Sequence, residues 1–325
     1  MHTLWILAVL ALVAKFVFRQ NVVASTGLNV SGLRSEFFER YNSLPDLAGQ
    51  LATRVASTKD SETYKFLGSV PMMREWGKGR QAVGLRTESY SVPNLKYEAT
   101  VEVDRDEIAD DQTGQIRIRI QELAEYARSH KAYLIGQLLE NGATSGFNSY
   151  DGTTFFSASH SSGDSGSQDN DLTSNITDPT NPTTAEFKEA LKGAIAAMMA
   201  FKDDRGLPKA IAPSGLICIV PPLHYFAALE AVNATVISQT TNVLAGIASV
   251  MSFPWLTSTD RWYLVKTDSV IRPFVFQDRE ALEFAAVDQP ADADVFKTDK
   301  LLYGVRARYR MTYGYWQYCV RHIFT

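Results

Sequence analysis

Cysteine is scarce. Cys218 and Cys319 are the only two in 325 residues, which excludes a disulfide-built scaffold and a four-cysteine zinc site. The five histidines are scattered, with no HExxH and no paired spacing, so no metal site is expected from them. An excess of positive charge is also lacking. Lys and Arg number 32 against 36 Asp and Glu, for a net charge of −4, which argues against a tight binder of phosphate backbones. No apolar run reaches the ~20 residues that span a bilayer. No internal repeat is visible. What remains is ordinary globular composition, 45% apolar and 21% charged. It excludes a disordered or fibrous chain and suffices to bury a core without staples.

The N-terminus carries an apolar run from Leu4 to Ala14, the length of a signal-peptide core, and Val22-Val23-Ala24 would serve as a cleavage site. Its flanks argue against secretion. No Lys or Arg precedes the run, only His2, and Lys15 and Arg19 follow it, where signal peptides are neutral. The plainer expectations are an apolar helix docked on protein, or extra residues from a misplaced start codon.

Residues 25–67 are polar, with short apolar clusters at Leu33, Phe37, Phe38 and Tyr41 that Pro45 interrupts. They predict an arm with one or two short helices. Residues 68–104 alternate in period two, as in Tyr97-Glu98-Ala99-Thr100-Val101-Glu102-Val103, and read as β. Gly77, Gly79 and Gly84 mark a flexible tip between two strands, and the segment has few large aliphatic side chains with which to bury a core of its own. Ile116, Ile120, Leu123, Ala127, Leu134 and Leu138 recur at helical spacing and predict a long helix over 113–141, with Gly142 as its C-cap.

A Ser-, Gly- and Asp-rich loop follows over 146–182. A second helix is predicted over 184–203, opened by a Thr183/Glu186 capping box. Leu216–Val220 reads as a buried strand, and a third helix runs from Pro221-Pro222 to about Ala234. Strands are expected at Arg261–Lys266, Arg272–Gln277 and Tyr303–His322. This order of elements fits α+β better than a doubly wound sheet.

Three motifs carry potential chemistry. Gly163-Asp164-Ser165-Gly166, with His160 nearby, spells the nucleophile tetrapeptide of trypsin-like proteases. A positioned base and a third orienting group are not evident, so a mobile surface loop is expected. Asp169 and Asp171 could touch a cation, but the twelve-residue calcium loop is missing. Arg306, Arg308 and Arg310 alternate with apolar residues, so on a strand their guanidinium groups share one face. Ion pairs with carboxylates, within the subunit or across a subunit boundary, are expected for all three.

The run Glu62-Thr63-Tyr64-Lys65-Phe66-Leu67-Gly68, then Pro71-Met72-Met73-Arg74-Glu75-Trp76, resembles the major head (capsid) subunits of Mu-like phages and prophages. In the same order come Tyr97-Glu98, Val103-Asp104-Arg105-Asp106-Glu107-Ile108 and Asp110-Asp111. Tyr150-Asp151-Gly152, Phe155-Phe156 and His160 complete the series. The match covers residues 31–161; the remainder agrees in general character.

The resemblance implies an α+β fold of the Hong Kong 97 phage-capsid type. Mapped onto this chain, it places an apolar N-terminal segment at 1–24, an N-terminal arm at 25–67 and an extended E-loop hairpin at 68–104. The P-domain spine helix falls at 105–146, an A-domain at 147–265, and the C-terminal P-domain strands at 266–325. It implies a structural protein without catalysis or cofactor, assembled in the host cytoplasm into the virion. Pentamers and hexamers of the chain would form an icosahedral shell around double-stranded DNA. The implied further partners are a scaffold or protease, portal and decoration proteins; no membrane is involved. DNA would be contacted weakly and without sequence specificity, because a slightly acidic wall repels it.

Met73, Arg74, Trp76, Lys78, Arg80, Leu85 and Tyr90 of the E-loop are the expected subunit interface. Aromatics rimmed by cations have that composition, and a two-stranded ribbon has no second layer to cover it. An encapsulin-like compartment of the same fold is the nearest alternative. A secreted hydrolase using Ser165 and His160 is the rival from another class.

Overall fold

The computed structural model describes residues 30–64, 90–110, 114–237, 239–289 and 291–325. The N-terminal apolar run and six of the seven expected E-loop interface residues lie outside these. In chain order come helices α1 (Val30–Ser43) and α2 (Leu47–Leu51), then strands β1 (Ala52–Ala56), β2 (Ser61–Tyr64), β3 (Tyr90–Pro93) and β4 (Leu95–Asp104). Helices α3 (Arg105–Asp110) and α4 (Gln115–Asn141), strand β5 (Asp171–Ser174) and helix α5 (Thr184–Ala200) follow. Next are β6 (Leu216–Val220), α6 (Tyr225–Asn233), β7 (Val236–Ile237), β8 (Thr240–Thr241), β9 (Ala248–Ser252) and β10 (Arg261–Lys266). The chain closes with β11 (Phe274–Val287), α7 (Ala293–Thr298), β12 (Lys300–Tyr313) and β13 (Cys319–Phe324).

Two compact units divide the chain, with boundaries inside α4, β11 and β12. The first comprises residues up to Asp46, Lys96–His130 and Glu280–Arg308. Its core joins Leu33, Phe37 and Tyr41 of α1 to Ile116, Ile120, Leu123 and Ala124 of α4, with Val103, Phe284, Tyr303 and Val305 from the strands. Ion pairs Glu36–Arg117 and Arg40–Glu125 advance together along α1 and α4, and Asp46, just past the end of α1, pairs with Arg128, so the two helices run side by side in the same direction. The expected arm is therefore docked over residues 30–46. Its apolar residues recur at i, i+4 and i+8, a stripe that lies on one helix face and finds its cover within the same unit.

The second unit is built on a five-stranded sheet of order β5-β13-β10-β6-β9. Strands β6 and β10 have the predicted bounds, and each is almost wholly buried. Helix α5 opens with the predicted capping box. The Thr183 hydroxyl accepts from the Glu186 amide, and the Glu186 carboxylate accepts from the Thr183 amide at 2.9 Å. Its stripe of Phe187, Leu191, Ile195 and Met198 is buried, with Phe187 tilted against Trp262 at 4.7 Å. A four-stranded sheet has the order β1-β11-β12-β4, in which β1 pairs in parallel with residues 274–278 of β11.

Three sequence expectations change. Along the C-terminal part of α4 the buried positions are Ala132, Ile135, Gly136 and Leu139, not Leu134 and Leu138, which are half-buried. Gly142 is not a left-handed cap. A Cβ there would come within 2.6 Å of the Phe156 ring, so the glycine serves close approach. The helix end is satisfied instead by tyrosine hydroxyls, Tyr313 donating to the Leu138 carbonyl at 2.7 Å and Tyr263 to that of Leu139 at 3.1 Å. The strand expected over Tyr303–His322 is two strands, broken at Gly314, where any side chain would overlap the carbonyl of Arg272.

Candidate functional site

The expected interface hairpin has its root in the second unit. Strands β2 and β3 pair antiparallel, Ser61 opposite Pro93 and Tyr64 opposite Tyr90, so residues 65–89 leave and return at one rung. Asn94 is the single residue between β3 and β4, and it closes the base of the ribbon. Its amide donates to the Asp60 carbonyl, and its side chain donates to Ser57 Oγ and to the Lys59 carbonyl, each at 2.8 Å. Glu62 gathers the same turn from the other side, accepting from Ser57 Oγ and the amides of Thr58 and Lys59. These bonds, that of the Thr58 amide foremost, hold its carboxyl below the usual range.

The apolar face of this ribbon is covered within its own unit. Tyr64, Val92 and Val275 form a small buried core, with Tyr90, Tyr150, Ile271 and Tyr315 packed around it. Tyr90 shares a 2.7 Å hydrogen bond with Thr312 Oγ1, and burial raises the pKa of its phenol. Tyr90, expected at the subunit interface, is half-buried within its own unit, and Val92 on the same strand is buried. The physical reason is β11, which supplies the second layer the ribbon lacks. The hairpin expected over 68–104 is paired over 61–64 with 90–93. Leu95–Asp104 belongs to the four-stranded sheet, with Val103 in the core of the first unit. Met73, Arg74, Trp76, Lys78, Arg80 and Leu85 lie outside the described residues.

On β12 the arginines alternate with buried Val305, Ala307, Tyr309 and Met311, as the period-two pattern predicts. Arg306 and Arg308 both pair with Glu280, at 3.0 Å and 2.7 Å. One carboxylate thus holds two guanidinium groups within the chain. Arg310, in the second unit, has no ion-pair partner among the described residues, and its charge acts on the Tyr90 phenol.

The loop over 146–182, expected to lie on the surface, is anchored by buried residues. Phe155, Phe156, His160 and Asn170 are fully or almost fully buried, and Ser165 is 5% exposed. His160 Nδ1 meets Asp151 Oδ2 at 2.6 Å, its Nε2 donates to the Phe155 carbonyl at 3.2 Å, and its ring stacks on Trp316 at 4.0 Å. Asn170 donates to that same carbonyl at 2.9 Å and to the Cys319 carbonyl at 3.1 Å. Composition hid this knot, because the anchors are single residues among many small polar ones. The Asp151/His160 spacing was a usable signal, since a buried histidine needs a partner.

This geometry does not assemble a nucleophile and base. Both ring nitrogens of His160 are engaged elsewhere. The Ser165 hydroxyl donates to the Gly166 carbonyl at 2.9 Å and accepts from the Ser162 amide at 3.0 Å. Asp171 is taken by Arg321 in a bidentate pair with both contacts at 2.6 Å, and Asp169 accepts from the Asp171 amide. Among the described residues no group of His, Cys, Asp and Glu could hold a metal ion, and no helix is long and apolar enough to cross a membrane.

Comparison with known proteins matches this architecture. The chain is 25% identical over 88% of its length to the Mu-like prophage FluMu major head subunit of Haemophilus influenzae, covering 69% of that protein. It is 25% identical over 91% of its length to the major capsid protein of Escherichia phage Mu, covering 73% of it. Among solved structures, the procapsid of bacteriophage JBD30 superposes with a TM-score of 0.52 at 22% identity, over 90% of this chain and 74% of that one. The fold is that of the Hong Kong 97-type phage capsid proteins. The sequence profile of the family described as "Mu-like prophage major head subunit gpT" matches residues 28–187, 183–256 and 257–323, and the chain belongs to that family.

Proposed function

We infer that this chain is the major capsid subunit of a Mu-like phage or prophage, a structural protein whose copies build an icosahedral shell around double-stranded DNA. The observation that carries this reading is the family match along nearly the whole chain. The root of the 65–89 segment supports it. The ribbon from which residues 65–89 leave is itself buried on β11, which gives that segment a fixed base. We assign those residues as the E-loop, with Met73, Arg74, Trp76, Lys78, Arg80 and Leu85 in contact with a neighbouring subunit. Helix α4 is the spine of the P-domain, and the five-stranded sheet with α5 and α6 is the A-domain.

Arg310, without a carboxylate among the described residues, is the arginine available to a neighbour's carboxylate. Arg306 and Arg308 serve the subunit's own fold through Glu280. The net charge of −4 keeps contact with packaged DNA weak and sequence-independent. A scaffold or protease, a portal and decoration proteins complete the proposed set of partners, with assembly in the host cytoplasm.

The test is negative-stain microscopy of the protein expressed alone and with its scaffold, followed by nuclease protection of particles from infected or induced cells. Closed shells that protect DNA are the expected result. Monomers under every condition would refute the assignment, and closed shells filled with a cargo protein would favour a compartment.

A further inference from the structure

Lys209 has no ion-pair partner among the described residues. It stands instead in a corner made by two tyrosines. The rings of Tyr315 and Tyr318 meet edge to face at 5.8 Å, and Lys209 Nζ lies 3.7 Å from the first ring centroid and 5.0 Å from the second. The backbone beside it is strained. Ala210 has φ +52°, a left-handed conformation unfavourable for a residue that carries a Cβ. The Lys209 amide donates to the Phe201 carbonyl at 2.9 Å, which anchors the loop behind the side chain.

Tyr315 also belongs to the seat of the ribbon. It packs with Tyr150, Tyr90 and Ile271 around the small core of Tyr64, Val92 and Val275, and its ring meets that of Tyr150 edge to face at 5.7 Å. The Lys209 stem thus supports one ring of the layer that covers β2 and β3. Two carboxylates of its own loop, Asp203 and Asp204, act on the ammonium at longer range. Asp203 is engaged, its Oδ1 accepting from the amides of Arg205 and Leu207. Asp204 Oδ1 is buried and has no hydrogen-bond partner. The groups facing Lys209 from the other side are the phenols of Tyr315 and Tyr318. Burial raises both, that of Tyr315 to about 12, and Asp268 adds to the rise at Tyr318, so both stay neutral where Lys209 titrates.

We propose that Lys209 is a proton-responsive strut for the root of the 65–89 segment: the neutral amine packs on Tyr315 and steadies the ribbon, and the ammonium leaves for Asp204 Oδ1 and loosens it. The balance of forces favours this direction. Attraction of a cation to the ring faces offsets only part of the lost hydration, because burial still lowers the Lys209 pKa from 10.5 to about 7. Linkage then sets the sign. Beside Asp204 the amine keeps at least its ordinary affinity for the proton. As the pH falls from 10.5 to about 7, each unit favours the departed arrangement about tenfold. Below about 7 both arrangements are charged and the effect levels off. The inference goes beyond the shell reading and does not rest on it, since every group involved lies in one subunit.

The test is hydrogen exchange of the β2 and β3 amides in the unassembled full-length subunit, at about pH 7, 8 and 9, for wild type, Lys209→Met and Lys209→Arg. Comparing chains at one pH removes the intrinsic pH dependence of exchange. Lys209→Met keeps the stem without a proton site. Wild type should therefore exchange faster than Lys209→Met at the lowest pH, and their ratio should shrink at least about fivefold by the highest. Lys209→Arg is charged throughout, so its ratio to Lys209→Met should stay constant, and wild type should approach it at the lowest pH. Amides of β10, in the five-stranded sheet, should exchange alike in all three; an equal change there would overturn the link to the ribbon. A constant ratio of wild type to Lys209→Met would overturn the proton-responsive role, and equal exchange in all three chains would overturn the strut itself. Should thermal unfolding show that Lys209→Met does not fold, the ratio of Lys209→Arg to wild type decides in its place: it should widen as the pH rises, and a constant value would overturn the proposal.

Discussion

The phenol of Tyr64 donates to the side-chain carbonyl of Gln277 across 2.6 Å, joining two buried groups 213 residues apart. The same Gln277 donates through Nε2 to the Val92 carbonyl at 3.2 Å and to Asn94 Oδ1 at 2.8 Å. One amide thus binds both strands of the ribbon that bears residues 65–89. Gln277→Leu should keep the volume and strand all three partners, at a cost of about 2–4 kcal/mol. Tyr64→Phe should cost about 1–2 kcal/mol. Urea unfolding of the unassembled subunit checks both, and equal effects would mean that Tyr64 carries the whole contribution.

Because the ribbon root is secured on its own subunit, removing its far end should spare the fold. Replacing residues 74–86 by a short Gly-Ser turn is expected to leave a soluble chain with unchanged helical circular dichroism. Closed shells should be absent, with light scattering showing monomers or loose oligomers. Normal shells from this variant would remove the E-loop from the list of assembly contacts.

Elements set by neighbours in sequence were legible. The Thr183/Glu186 capping box, strand 261–266 and most of the helix ending at Asn141 follow from patterns within a few residues. Contacts between distant segments were not. Phe37 packs against Phe284 at 5.4 Å, and nothing local to α1 announces a partner that far along the chain. The ribbon root was hidden for the same reason, since Tyr64 reads as one more aromatic until Gln277 is placed beside it. The break at Gly314 did leave a signal, a glycine amid aromatics in a supposed strand.

The Asp151–His160 knot is expected to be structural. Both histidine nitrogens are engaged, Nδ1 with the Asp151 carboxyl group and Nε2 with the Phe155 carbonyl, and both side chains are buried. Asp151→Ala leaves the buried Nδ1 without a partner and should destabilise by about 2–3 kcal/mol. Ser165→Ala removes a buried hydroxyl with two bonds and should cost about 1 kcal/mol, more than a surface change would. Chemical denaturation of both variants tests this order. A Ser165→Ala protein of unchanged stability would return the loop to the surface category.

Glu280 is the shared partner of Arg306 and Arg308, so removing it should cost more than removing either arginine. Arg306 is half exposed, and Arg306→Gln should change stability by less than about 1 kcal/mol. Arg308 is less exposed, and Glu280→Gln takes the carboxylate charge away from its partly buried guanidinium. A larger fall in thermal midpoint for Glu280→Gln than for Arg306→Gln is expected. Arg310→Gln should leave the monomer's stability unchanged and lower shell yield, as a contact made only on assembly would.

Acid should loosen the second unit through two buried histidines. His322 is 3% exposed and its ring lies 5.3 Å from those of Trp262 and Phe324; burial lowers its pKa from 6.5 to about 4. His224 is fully buried against Phe324, and burial lowers its pKa too. Above pH 6.5 both residues are neutral folded and unfolded, and neither affects stability. Between pH 6.5 and about 4 the unfolded chain takes up a proton at His322 that the folded chain refuses, so the unfolded state gains and stability falls. Below about 4 both states are charged there and the loss levels off. For His322 alone the loss is about 3 kcal/mol. Carboxylates also titrate as the pH falls, so the measurement is a difference. Urea unfolding of wild type and His322→Phe is compared at pH 7.5, 5.5 and 4. The aromatic replacement keeps the stack on Trp262 without the proton site, and its stability should fall less steeply than that of wild type. Parallel curves would mean that His322 takes its proton in the folded state as readily as in the unfolded one.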